Sequence, residues 1–141
     1  SKSLKCVGLL AVEMFQCGDK ILINEVAHRP HNSGHLTIEA CKTSQFQQHI
    51  RSIFDLKLGN TVHDGHAIML NLVGDNNYSG KVLYENLDAV FEIKNDNLHI
   101  YGKKETRPNR KMGHITIICD NFEEGYNNAK LLKSKIKVKS T

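Results

Sequence analysis

The sequence predicts an α+β chain of antiparallel strands with packed helices. Three observations carry this. Short apolar runs recur between turn residues: VGLLAVEMF, ILINEVA, AIMLNLVG, NLHIY and HITIICD. Runs of that length bounded by Gly, Asn and Asp are strand signals. The first two are joined by the turn QCGDK and form a hairpin. Two further segments carry apolar residues at helical spacing behind capping signals.

In chain order, residues 7–15 form a first strand, apolar enough that both its faces are expected to be covered. Residues 21–27 return beside it. A polar loop follows, and residues 36–54 are helical in two pieces. Ser44 and Gln47 have capping-box spacing, and Phe46, Ile50, Ile53 and Phe54 are expected to face a core. KLGNTVHDG is a loop, residues 67–74 a second apolar strand, and DNNYSG a turn. Residues 85–93 form a short helix and 97–101 a strand. GKKETRPNRKMG is a long basic loop, and residues 114–120 are the last strand. Asn121 and Glu124 offer a second capping box before a helix whose one face carries Phe122, Tyr126, Ala129 and Leu132.

At 141 residues, with 40% hydrophobic and 24% charged side chains, the composition is that of a globular domain or a piece of a larger protein. No run reaches 18 uninterrupted apolar residues, so no helix is expected to span a membrane. The opening SKSLKCVG lacks a secretory apolar stretch, which points to the cytoplasm. The four cysteines show neither a close pair nor a repeated spacing; Cys6, Cys41 and Cys119 are expected to be small buried thiols. The net charge of +4 comes from KLLKSKIKVKST at the end, with five lysines and no acid. Such a tail can contact nucleic acid, or simply suit the last turn of a helix. With no interleaved aromatic pattern, no nucleic-acid partner is expected. The chain enters an apolar strand after only six residues, which points to pairing with sequence that precedes it.

Two glutamates interrupt the hairpin. With a three-residue turn at 18–20, Glu13 lies directly opposite Glu25, side chains on one face and about 5 Å apart. Opposed like charges require an offset: a shared proton, a basic side chain, or a hard divalent cation such as Mg²⁺, unless one glutamate sits at a solvent edge. On the same alternation Asn24 points to the other face. Asn71, inside AIMLNLVG, calls for a partner. In the loop HRPHNSGH, Pro30 pushes Arg29 toward an extended shape. Gly34 permits a φ that other residues avoid and a close approach to the backbone. His31, Asn32 and Ser33 offer donors and acceptors, and a helix beginning near His35 adds unpaired N–H groups that suit an anion. His28, His31 and His35 have helical spacing for zinc, but Pro30 and Gly34 argue against a helix there and Arg29 would repel the ion. The basic loop, with Lys103, Lys104, Arg107, Arg110 and Lys111 between Gly102 and Gly113, suits a phosphate or is simply solvated. Together these pieces are the equipment of phosphoryl transfer, without a phosphate-loop motif.

GLLAVEMF…ILINEVAHRPHNSGHLTIEACKTSQFQQHIRSI, followed by LHIYGKKETRPNRKMGHITI, resembles the C-terminal part of the N5-carboxyaminoimidazole ribonucleotide synthetase family, of the ATP-grasp superfamily. The motifs NE-x-A-x-RPHNSGH and YGK-x-x-x-R-x-x-RKMGH carry the resemblance. It implies an ATP-grasp end over residues 1–60 and a small β-rich closing domain over 61–141. It implies an ATP-dependent ligase that carboxylates aminoimidazole ribonucleotide with bicarbonate. Mg²⁺ would sit on Glu13 and Glu25, with Asn24 supporting. Arg29, His31, Asn32, Ser33 and His35 would approach bicarbonate and the ribonucleotide. Lys103 and Arg110, with Arg107 and Lys111 beside them, would hold its phosphate. The family further implies N-terminal and lid domains preceding this chain, a homodimer, and a carboxyaminoimidazole ribonucleotide mutase that takes the product. The chain alone is expected to make none. His28 stands where the family usually has proline, which loosens the loop.

Overall fold

A computed structural model describes residues 5–94 and 96–141, which divide into two compact units between Asp64 and Gly65. In the first unit, β1 (Ala11–Cys17) and β2 (Lys20–Ala27) form an antiparallel hairpin. β1 starts later than the apolar run predicts. Gly8 takes a positive φ of 108°, which breaks the extended chain, and the Leu9 N–H donates to His49 Nδ1 at 3.0 Å.

The hairpin turn is shorter than predicted. Cys17 pairs with Lys20, so only Gly18 and Asp19 form the turn, with Gly18 at φ +59°. The register then shifts by one between Met14↔Ile23 and Glu13↔Glu25. Asn24 is thereby the extra residue of a β-bulge. The expectation that both faces are covered fails: Met14, Phe15, Ile21 and Ile23 are all more than half exposed, Ile23 at 70%. Among the described residues this sheet has two strands, and a two-stranded ribbon cannot cover its own faces.

The helical stretch comes in two pieces as predicted, α1 (Thr37–Ala40) and α2 (Gln45–Ile53). The capping box forms: Ser44 Oγ accepts from the Gln47 N–H, and Gln47 Oε1 accepts from the Ser44 N–H at 2.8 Å. The predicted apolar face of α2 is not a core face. Phe46, Ile50, Ile53 and Phe54 remain exposed, and Phe46 and Ile50 line an open groove with Leu56. Among the described residues of this unit the buried ones are Ala27, Ala40, Ser44 and Gln45, so half of them are polar.

The second unit holds a substantial core. β3 (His66–Val73), β7 (Lys111–Cys119) and β5 (Asp96–Ile100) form one antiparallel sheet in that order. A second sheet has the order β6 (Glu105–Thr106), β4 (Gly80–Glu85), β8 (Lys137–Ser140). A 3₁₀ helix covers Leu87–Glu92 and α3 spans Phe122–Lys135. β7 is central, and every residue from Met112 to Ile117 is buried. Ile115 and Ile117 join Val90, Ala129 and Leu132 in the core.

Asn121 caps α3 by accepting from the N–H groups of Glu123 and Glu124. Of the predicted α3 face, Ala129 and Leu132 are buried while Phe122 and Tyr126 are about half exposed. The sequence reading missed β4, β6 and β8. The lysine-rich end is neither tail nor helix: Ile136 and Val138 are buried at period two, with Lys137 between them and Lys139 after them. Lys139 pairs with Glu85 of β4 at 2.8 Å. The cysteines are free thiols, and Cys6, Cys41 and Cys119 are half-buried rather than buried. Asn71 Oδ1 is buried without a hydrogen-bond partner among the described residues.

Candidate functional site

The first unit gathers a carboxylate pair and the polar loop. Glu13 and Glu25 are register partners, as the sequence predicts, though a tight turn and a bulge bring this about rather than a wider turn. The bulge corrects the reading of Asn24. Its side chain does not turn away: Nδ2 donates to Glu13 Oε1. His31 completes the cluster, with Nε2 at 2.7 Å from Glu25 Oε1 and 3.7 Å from Glu13 Oε2. The ligand-capable atoms of Glu13, Glu25 and His31 lie within 4.8 Å of one another. The two carboxylates remain open to water, their side chains 37% and 51% exposed, whereas His31 is only 12% exposed.

The His31 tautomer follows from its neighbours. Nδ1 accepts from the Ser33 N–H and lies 2.7 Å from Ser33 Oγ. A backbone N–H can only donate, so the ring hydrogen sits on Nε2 and points at Glu25. Without a cation, the opposed charges are thus offset by an amide donor on Glu13 and an imidazole donor on Glu25. Two hard oxygen ligands on neighbouring strands fit a magnesium-type ion.

The loop is built differently from the expectation. The 3₁₀ turn Asn32–Gly34 engages several of the N–H groups around His35 that are expected to suit an anion. Gly34 donates to the His31 carbonyl, His35 to that of Asn32 and Ile38 to that of His35. Gly34 has no positive φ; its role is space, because a Cβ there would stand 2.5 Å from Gln45 Oε1 and push this amide aside. The three histidines diverge, which disposes of a shared zinc ion: His28 Nε2 bonds the Val7 carbonyl, His31 bonds Glu25 and His35 bonds Gln45. Arg29 donates to the Pro30 carbonyl and is exposed. Asn32 Nδ2 is buried without a hydrogen-bond partner among the described residues.

Gln45 is the site residue that the sequence reading missed. It is the first residue of α2 and 7% exposed. Oε1 accepts from the His31 N–H at 2.9 Å, and Nε2 donates to the His31 carbonyl and to His35 Nδ1, both at 2.8 Å. The available signal was a polar side chain directly after the helix cap, where an inward-facing amide must find partners.

In the second unit the basic loop folds back on itself. Lys103 Nζ donates to the Lys111 carbonyl at 2.6 Å and lies 5.6 Å from the Tyr101 ring centroid. Arg110 donates to the Glu105 carbonyl at 3.1 Å. Arg107 and Lys111 are exposed. The four predicted phosphate-binding residues therefore share one loop and its flanking strand.

Residues 1–46 match the ATP-grasp domain family, and residues 67–127 match the phosphoribosylaminoimidazole carboxylase C-terminal domain family. The chain is 49% identical over 116 residues to N5-carboxyaminoimidazole ribonucleotide synthase of Bacillus subtilis, covering 82% of this chain and 29% of that protein. It is 45% identical over 132 residues to phosphoribosylaminoimidazole carboxylase of Schizosaccharomyces pombe, covering 87% and 23%. The crystal structure of N5-carboxyaminoimidazole ribonucleotide synthetase from Thermotoga maritima aligns with a TM-score of 0.90 at 48% identity, over 99% of this chain and 39% of that one. The Aspergillus clavatus enzyme in complex with ADP and 5-aminoimidazole ribonucleotide aligns at 0.77 and 36% identity, over 90% and 34%. The chain thus spans about a quarter of the length of the curated relatives it matches.

Proposed function

The chain belongs to the N5-carboxyaminoimidazole ribonucleotide synthetase family of the ATP-grasp superfamily, and from that premise we propose that it serves the ATP-dependent carboxylation of 5-aminoimidazole ribonucleotide by bicarbonate. The observation that carries this is the opposed pair Glu13–Glu25 beside a polar loop, inside the segment that matches an ATP-grasp domain. In chemical terms a bicarbonate oxygen takes the γ-phosphoryl group and ADP leaves. The ribonucleotide's amine then attacks the activated carboxyl carbon, releasing phosphate and a proton.

Glu13 and Glu25 would hold Mg²⁺, which supplies charge neutralisation at the transferring phosphoryl group. Asn24 orients Glu13 and His31 orients Glu25, so neither carboxylate has to reorganise when the ion arrives. Arg29, Asn32, Ser33 and His35 sit in the same loop, within reach of a small anion held there. In the second unit, Lys103 and Arg110, with Arg107 and Lys111, would grip the ribonucleotide's phosphate. Solved relatives with ATP, and with ADP and the ribonucleotide, support this assignment of substrates.

Positioned ATP is needed for turnover. The relatives carry most of their length outside the region aligned here, so this chain alone is expected to release no product. A homodimer, a cytoplasmic location and transfer of the product to a carboxyaminoimidazole ribonucleotide mutase belong to the same reading. The test is ADP release by the full-length gene product. It should require both bicarbonate and aminoimidazole ribonucleotide, and Glu25→Gln should abolish it. ADP release indifferent to the ribonucleotide would overturn the substrate assignment.

A further inference from the structure

The basic loop of the second unit is clamped at its tip. Arg107, Pro108, Asn109 and Arg110 form a β-turn in which the Arg110 N–H donates to the Arg107 carbonyl at 3.0 Å. Proline at the second position and a φ of +62° at Asn109, the third, make it a type II turn. Gly74, directly after β3, holds this turn from outside. Its N–H donates to the Arg110 carbonyl and its carbonyl accepts from the Asn109 N–H, both at 2.9 Å. A bulge sets this alignment: Leu72 pairs with Gly113 and Val73 with Lys111, which leaves Met112 as the extra residue. Gly74 is buried, and a Cβ there would overlap the Arg107 carbonyl oxygen, a backbone atom that cannot swing aside as a side-chain end can.

The clamp engages the N–H groups of Asn109 and Arg110 inside the protein, so an anion at this tip is left to the side chains. Arg110 donates to the Glu105 carbonyl and Lys103 to the Lys111 carbonyl. Both acceptors are neutral, and neither cation meets a carboxylate among the described residues. Lys103 thus rests on the residue that follows Arg110, and fixing the turn fixes both cations. The Asn109 side chain is exposed, so what Asn109 supplies to the loop is its left-handed φ, which asparagine tolerates better than most residues. We propose that Gly74 and Asn109 are positioning residues: they lock the turn so that Arg110 and Lys103 meet the ribonucleotide's phosphate already held in place. The role rests on the phosphate-binding function proposed above for this loop, whereas the clamp rests on the backbone geometry alone. Two long cationic side chains grip an anion more tightly when their backbone does not have to be ordered on binding.

The test has two arms. Amide hydrogen exchange by NMR on this chain should show the Asn109 and Arg110 amides exchanging at least about 100-fold more slowly than an open loop, although the turn is at the surface. Unprotected amides at both positions would overturn the clamp without any variant having to fold. In the full-length enzyme, Asn109→Val should raise KM for aminoimidazole ribonucleotide at least about tenfold, with KM for ATP within about twofold, because a β-branched residue resists a positive φ. Asn109→Gly, which accepts that φ, should keep both within about twofold. A folded Gly74→Ala should follow Asn109→Val, and if it does not fold, the two Asn109 variants still decide. An unchanged KM in Asn109→Val would overturn the positioning role. So would an Asn109→Gly as impaired as Asn109→Val, since the amide and not the backbone would then be in use. Arg110→Ala separates this from the functional reading: an unchanged KM for the ribonucleotide there would overturn phosphate binding by the loop and the positioning role with it, while the exchange rates still decide the clamp.

Discussion

Glu25→Gln tests the carboxylate pair by two opposing effects whose sizes follow from the geometry. The ligand oxygens of Glu13 and Glu25 lie no more than 4.8 Å apart. At that separation two unit charges repel by about 0.9 kcal/mol in bulk water and about 3.5 kcal/mol at an effective dielectric constant near 20. Both side chains are more than one-third exposed, so the lower figure governs, about 1 kcal/mol. The substitution removes that repulsion. It also turns the charge-assisted bond from His31 into a neutral one, a loss of about 1 kcal/mol. Without divalent cation the two nearly cancel, and the variant should unfold within about 1 kcal/mol of the parent.

With cation the outcomes diverge. At a hundredfold excess over Kd, a bound ion stabilises the unmodified chain by about 2.7 kcal/mol, and the variant should gain almost none of it. The assay is thermal unfolding in EDTA and across a MgCl₂ or MnCl₂ titration, for both chains. An equal cation-dependent rise in Tm in the variant would refute the assignment of Glu25 to the ion. A cation-free destabilisation above about 2 kcal/mol would refute the view that the pair is mutually repelling.

Three further outcomes are expected. Ser44→Ala, which removes the side-chain half of the capping box, should cost about 1 kcal/mol in denaturant unfolding, whereas Gln47→Ala should cost less. Leu132→Ala empties a fully buried position in the second unit's core and should cost about 2–5 kcal/mol. Burial pushes the Asp96 carboxyl up to about 6, and neither of its oxygens has a hydrogen-bond partner among the described residues. The folded state therefore binds more protons than the unfolded chain between pH 4 and 6, so this group's contribution to stability falls as pH rises through that window. Because Asp96 is partly exposed, about 1–2 kcal/mol is expected from it. In Asp96→Asn, measured by urea unfolding at pH 5 and pH 7.5, that dependence should disappear.

The hairpin, the opposed glutamates and both helix caps could be read from the sequence because each rests on local chemistry: alternation along a strand, or a side chain meeting its own helix end. The turn length could not. Gly18 and Asp19 close the hairpin in two residues, and nothing in QCGDK distinguishes this from a three-residue turn whose offset gives the same Glu13–Glu25 partnership. β6 escaped notice because two residues are too few for a periodicity. β8 escaped because its alternation, I-K-V-K, continues directly from a lysine-bearing helix. Gln45 was missed for a different reason. Its role depends on His31 and His35, more than nine residues earlier, and on the empty side of Gly34. The exposed apolar residues of β1, β2 and α2 mark the limit of periodicity, which identifies a face that favours burial and not whether something covers it.

The bulge at Asn24 resolves a conflict between strand alternation and site chemistry. Strict alternation allows one residue of β2 opposite Glu13. Two residues, Asn24 and Glu25, stand there instead, so three polar groups share one face where a regular ladder would supply two. Deleting Asn24 would restore the regular register of the turn-proximal half and still leave Glu25 opposite Glu13, since the pairing Met14↔Ile23 would then continue without interruption. Only the amide would be lost. The bulge should therefore matter for orienting Glu13 and not for bringing the carboxylates together. Asn24→Ala and the Asn24 deletion should then weaken divalent-cation binding to a similar degree, roughly 10–100-fold by titration calorimetry, the range usual for removing a group that orients a metal ligand. The deletion should also unfold no more easily than Asn24→Ala, because a regular ladder replaces an irregular one. Unchanged affinity in Asn24→Ala would sink the orienting role. A deletion that abolishes binding while Asn24→Ala retains it would show that the bulged backbone itself, rather than the amide, sets the carboxylate geometry.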